Sequence, residues 1–127
     1  MHNSKLEQHI EQFLKDNKID FIRQQKFDWL KDKGYLKLDF YLPKYNIAIE
    51  CQGSQHFHKH CIWGNKLDDV QRRDDIKYNQ CKEHGIDILY FAFKNYDKEY
   101  RLGKIYTNLK KLLKKILEYD TTNGTQQ

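Results

Sequence analysis

Two short segments constrain this chain more than any other feature. Residues 35–43, YLKLDFYLP, alternate strictly: Leu36, Leu38, Phe40 and Leu42 fall on one side, and Tyr35, Lys37, Asp39 and Tyr41 on the other. Period two is the signature of a strand. Residues 47–53, IAIECQG, repeat the pattern with Ile47, Ile49 and Cys51 on one face. Pro43, Lys44, Tyr45 and Asn46 between them have turn composition. Two strands joined by four residues make an antiparallel hairpin. With Leu42 facing Ile47 across that turn, Asp39 falls opposite Glu50 and Lys37 opposite Gln52. Opposed positions in an antiparallel pair sit about 5 Å apart at Cβ, and like charges placed there cost stability. Two ionised carboxylates so placed need a cation between them, or one of them keeps its proton. Glu50 is also flanked by Ile47, Ala48 and Ile49, on a strand that reads as interior. The plainer reading is an edge hairpin with ordinary charges on its solvent face.

The rest of the chain supplies a small α/β frame around the hairpin. Ser4 and Glu7 form a capping box, and Leu6, Ile10, Phe13 and Leu14 recur at helical spacing, which predicts a helix over 4–17. Residues 19–27 hint at a strand, with Gln24 and Gln25 as candidates to face the hairpin's polar side. Residues 67–84 read as a second helix stopped at Gly85, and 86–93, IDILYFAF, as a central strand. Residues 98–118 read as a third helix. Its buried stripe is Ile105, Leu109, Leu112, Leu113, Ile116 and Leu117, and its other face holds Arg101, Lys104, Lys110, Lys111, Lys114 and Lys115. The expected order is α-β-β-β-α-β-α, with a mixed sheet flanked by helices. The length of 127 residues suits one domain, taken as 1–120 with a polar tail at 121–127.

Composition narrows the function classes without choosing one. The net charge of +5 permits an anionic partner such as nucleic acid. No apolar run approaches the length of a membrane span, so no membrane partner is expected. The N-terminus lacks an apolar signal core. Three cysteines, Cys51, Cys61 and Cys81, form no disulfide framework, so a reducing, cytoplasmic location is expected. A zinc site built from Cys81 and His84 with His58, His60 or Cys61 has partial ligand spacing but no Cys-x-x-Cys pair.

The block LDFYLPKYNIAIECQGSQHF at 38–57 resembles the central motif of the PD-(D/E)XK nuclease superfamily. It is most similar to its small single-domain members related to the very-short-patch repair endonuclease. Asp39 matches the motif's Asp, Glu50 its acidic residue, and Gln52 the position usually held by Lys; Gly53 and His56 match the Gly-x-x-His that follows. Outside the block, Leu6-Glu7 resembles the family's first helix, Arg73 to Lys77 with Cys81 the helix after the core, and 85–93 its last core strand. The resemblance implies a restriction-endonuclease-like α/β (α+β) core and a Mg²⁺- or Mn²⁺-dependent endonuclease acting on DNA, with RNA an open alternative. It implies that Asp39, Glu50 and the Cys51 carbonyl hold the metal and that Glu7 points toward it. Gln52 orients the attacking water, and His56, ahead of His58, donates a proton or holds the phosphate. Gln52 departs from the family pattern because an amide carries no charge; Lys37 and Lys77 are the candidates to supply it. Double-strand cleavage from one such site requires two visits or two copies, so a homodimer is an expectation. A nucleic-acid-binding module with weak or no catalysis is the competing reading.

Overall fold

The alternation of apolar and polar residues becomes a sheet covered on both faces. The computed structural model describes residues 4–53, 66–94, 102–103 and 105–125. Its elements are α1 (Lys5–Asp16), β1 (Ile22–Gln25), β2 (Leu38–Leu42), β3 (Ile47–Cys51), α2 (Lys66–Glu83), β4 (Asp87–Phe91), β5 (Ile105–Tyr106) and α3 (Leu109–Thr125). The five strands form one mixed sheet in sequence order. β1, β2 and β3 pair antiparallel, and β4 and β5 continue parallel to β3. A parallel partner for β3 requires a crossover, and α2 supplies it.

Local chemistry sets the element ends. The Ser4 hydroxyl accepts the Glu7 backbone N–H at 3.1 Å, so α1 starts as its capping box predicts. Gly85 follows α2 at φ 75°, the left-handed position at which helices stop. The β2–β3 turn closes as Asn46 donates its N–H to the Leu42 carbonyl at 2.9 Å. Asn46 sits at φ 55°, a conformation Asn tolerates better than most residues.

Helices cover the sheet on both sides. Leu6, Ile10, Phe13 and Leu14 of α1 and Leu112 and Ile116 of α3 pack with Phe40, Leu42, Ile47, Ile49, Leu89 and Phe91. On the other face, Leu30, Leu38, Ala48, Cys81 and Ile86 form a smaller cluster under α2. Each fully buried aliphatic or aromatic side chain stabilises by about 1.5–3 kcal/mol over exposure, so these two layers hold the sheet.

Three expectations change. A fifth strand stands where the sequence reads as helix: Ile105 pairs with Tyr90, and α3 begins only at Leu109, with the Asn108 side chain accepting the Lys111 N–H. α3 also runs to Thr125, through most of the segment read as a tail. Finally, Leu38 shares the alternation of Phe40 and Leu42 but packs into the α2-side cluster, so β2 departs from regular alternation next to Asp39.

Candidate active site

The hairpin register is the expected one. Leu42 faces Ile47, Tyr41 faces Ala48 and Phe40 faces Ile49. Where the next pair would be Asp39 with Glu50, side chains replace the ladder. Glu50 Oε2 accepts the Asp39 backbone N–H at 2.6 Å, and Asp39 Oδ2 accepts the Cys51 backbone N–H at 2.9 Å. The carboxylates therefore splice the two strands together just where the ladder opens. On the other side of β2, the paired residues are Arg23 with Phe40 and Gln25 with Leu38. Gln24, facing Asp39 between them, is left-handed at φ 53°. Such backbone costs a non-glycine residue roughly 1–2 kcal/mol and concentrates at functional sites.

Glu50 is only 3% exposed, which removes the reading of an ordinary solvent-facing charge. The face it occupies lies under α2, and Lys77 of that helix reaches it: Nζ donates to Glu50 Oε1 at 2.8 Å. Burial pulls the Lys77 ammonium down, but the charge and hydrogen bond of Glu50, then the charges of Asp39 and Asp74, outweigh it. The net shift is upward and Lys77 stays charged. Asp74, one helical turn before Lys77, is also buried.

One ammonium does not balance two carboxylates. Burial, and next the charge of Glu50, push the Asp39 carboxyl up to about 8, against the Cys51 hydrogen bond and Lys77, which favour ionisation. Glu7 adds the weakest push in the same direction. Its carboxylate is held by Arg23, Nη2 to Oε1 at 2.6 Å, and Arg23 also reaches Glu11 at 2.9 Å. This bridge from α1 to β1 links residues 12 and 16 positions apart, beyond any helical or strand period, so sequence spacing gives no sign of it.

Among the described residues, no group of three or more His, Cys, Asp and Glu side chains is placed to hold a metal ion. A hard cation needs less: Mg²⁺ is commonly held by one or two carboxylates plus carbonyls and water. Asp39 and Glu50, short of positive charge, fit that donor set, with Cys51 at the adjacent end of β3. Gln52 is buried at 1% exposure, and its backbone N–H donates to the Phe91 carbonyl at 2.8 Å. The positive charge that reaches Glu50 comes from Lys77. Lys37 precedes β2 and lies outside the paired strand. His56, His58, His60 and Cys61 lie outside the described residues. Cys81 is fully buried, and burial first, then the charge of Glu50, push its thiol up to about 12. Its helical neighbour His84 stacks on Trp29 with ring centroids 3.8 Å apart.

The raised Asp39 carboxyl makes a stability prediction. The group holds its proton more firmly when folded than when unfolded, so its contribution is full below about pH 4 and is lost as pH rises through about 8. In EDTA, the melting temperature of Asp39→Asn should gain on wild type between about pH 5 and about pH 9. A difference that stays flat with pH counts against the assignment.

A search against protein-family models finds no match for this chain, and no curated protein matches it. The resemblance of residues 38–57 stands on those residues alone, and what is established is a mixed α/β fold, with a five-stranded mixed sheet and three helices among the described residues.

Proposed function

We propose that the protein is a divalent-metal-dependent nuclease that hydrolyses DNA phosphodiester bonds at a PD-(D/E)XK-like site in which Gln52 replaces the usual Lys. The observation that carries this is the Asp39–Glu50 pair: two carboxylates brought together on adjacent strands, one of them buried, with positive charge for only one of them. The chain path supports the reading. A helix, an antiparallel hairpin bearing both acids, a crossover helix and a parallel strand is the order that the restriction-endonuclease-like core implies.

Asp39, Glu50 and the Cys51 carbonyl would hold Mg²⁺ or Mn²⁺. Bound there, the metal supplies Lewis acidity toward the phosphate and makes water a better nucleophile. The residues do the rest. Lys77 holds Glu50 through its ion pair and gives the site a fixed positive charge. Its ammonium is favoured by Glu50, and Lys77 acts there as a charge. Gln52 can orient the attacking water with an amide that both donates and accepts. His56 is the proposed proton donor to the leaving oxygen. Asp39 must shed its proton before it can bind a cation, so activity rises with pH through the range in which it ionises.

The test is a panel of supercoiled, linear, mismatched and single-stranded DNA, and of RNA, each with Mg²⁺, Mn²⁺ or EDTA. Metal-dependent cutting of at least one DNA form is expected. Cutting confined to RNA moves the substrate class. Strongly salt-dependent binding that leaves every substrate intact in Mn²⁺ selects the non-catalytic binding module, the reading that the uncharged Gln52 favours.

A further inference from the structure

One strand away from Glu50, along β4 and lined from both helix layers, by α2 on one side and α3 on the other, lies a pocket that the cleavage site does not use. Its volume is about 420 Å³, within the range of about 300–1,000 Å³ typical of small-ligand sites. Tyr90, the β4 residue paired with Glu50, forms part of its wall, and Tyr78 on α2 directly follows Lys77. Tyr106 of β5 and Tyr119 of α3 complete a lining with four tyrosines. Lysines stand against this aromatic surface. Lys82 Nζ lies 5.6 Å from the centre of the Tyr78 ring, and Lys115 Nζ lies 5.3 Å from that of Tyr119. Beyond Lys115, a second depression adds Lys111 and Lys114 and shares the Tyr106 wall.

We propose that this pocket receives an unpaired nucleotide of the substrate strand, its base against the tyrosines and its phosphates along Lys82 and Lys115. The inference rests on the nuclease reading and deepens it, because it names the substrate: single-stranded nucleic acid, or a duplex carrying an extrahelical nucleotide. A paired base has its faces covered by neighbours and cannot enter a pocket of this volume. An unpaired one presents a π-face that any aromatic ring can stack on, and cationic grooves beside such rings are how single strands are held. Asp87, which accepts the Tyr119 hydroxyl at 2.7 Å, puts negative charge on the wall. The phosphates therefore fall on the lysine rim, and the base faces the carboxylate. The Glu50–Tyr90 register sets one wall of the pocket a single strand away from Glu50.

Fluorescence anisotropy of the full chain in EDTA tests this without cleavage. The probes are a labelled single strand, its perfect duplex, and that duplex with one extrahelical nucleotide. The single strand and the bulged duplex should bind about tenfold more tightly than the perfect duplex, the scale of one stacked base. Tyr78→Ala should remove most of that preference, and Tyr78→Trp should keep it. Lys82→Gln, at an exposed position that leaves folding intact, should weaken all three probes and reduce the salt dependence. Equal affinity for the three probes overturns the proposal. So does a preference untouched by both Tyr78→Ala and Lys82→Gln, or free dAMP that binds as tightly as the single strand. Preference without cutting in the metal panel sinks only the nuclease reading; cutting without preference sinks only the pocket.

Discussion

Asp39→Asn will lose metal-dependent cleavage by about a thousandfold or more, and the same variant will be at least as stable as wild type above neutral pH. The magnitude follows from what one charge-handling group in a reaction centre is worth, about 10²–10⁴ in rate. The stability half follows from the geometry. Asparagine keeps a carbonyl oxygen that can accept the Cys51 N–H now bound by Oδ2, so the splice between β2 and β3 survives. What disappears is the like charge beside Glu50, one of the forces that push the Asp39 carboxyl up to about 8. Native sites that trade stability for chemistry behave this way, whereas a structural carboxylate loses stability when it is neutralised. Plasmid nicking with Mn²⁺, measured beside thermal melts, separates the two. Retained cleavage in Asp39→Asn and in Glu50→Ala would falsify the active-site assignment. A variant that loses activity only because it melts early would leave Asp39 a structural residue.

The pairing of Asp39 with Glu50 is legible in the sequence because two local rules suffice for it. Period-two patterning chooses the face, and a four-residue turn from Pro43 to Asn46 chooses the register. Lys77 is legible as a candidate because helical spacing sets it on one face with Asp74 and Cys81. That its ammonium reaches Glu50 depends on how α2 crosses the sheet, which no local rule supplies. β5 escapes for a different reason. Two residues are too few to establish a period, and Ile105 also fits the helical series that continues through Leu109 and Leu112. Asn108, a good N-cap residue just before LKKLLKKIL, is the signal that places the helix start correctly. The extension of α3 through Thr121, Thr122, Asn123 and Gly124 runs against helix propensity, so sequence reasoning ends the helix early. Leu38 crosses to the α2-side cluster at the point where Gln24 takes a left-handed backbone opposite Asp39; glutamine gives no warning of that conformation.

Lys77→Met should lower the melting temperature by about 10 °C or more near neutral pH. Methionine preserves most of the stem's packing, so the loss isolates the charge. Glu50 is 3% exposed and the Lys77 side chain 17%, so removing the ammonium leaves a buried carboxylate without its counter-charge. Breaking a buried pair in this way costs about 3–5 kcal/mol, against a total of about 5–15 kcal/mol for a small domain. Each 1 kcal/mol moves the melting temperature of a domain this size by a few degrees. The double variant Glu50→Gln/Lys77→Met removes both charges and should recover most of the loss, which a double-mutant cycle reads as coupling. Lys77→Arg adds a functional test, since it keeps the charge but changes its shape. If Lys77 serves the reaction as a positive charge, Lys77→Arg retains part of the cleavage that Lys77→Met abolishes at a temperature where both remain folded. Single-site losses that simply add in the double variant would mean that the 2.8 Å contact carries no net coupling. The buried carboxylate would then owe its position to the Asp39 N–H, and Gln52 would be left without a substitute for the missing charge.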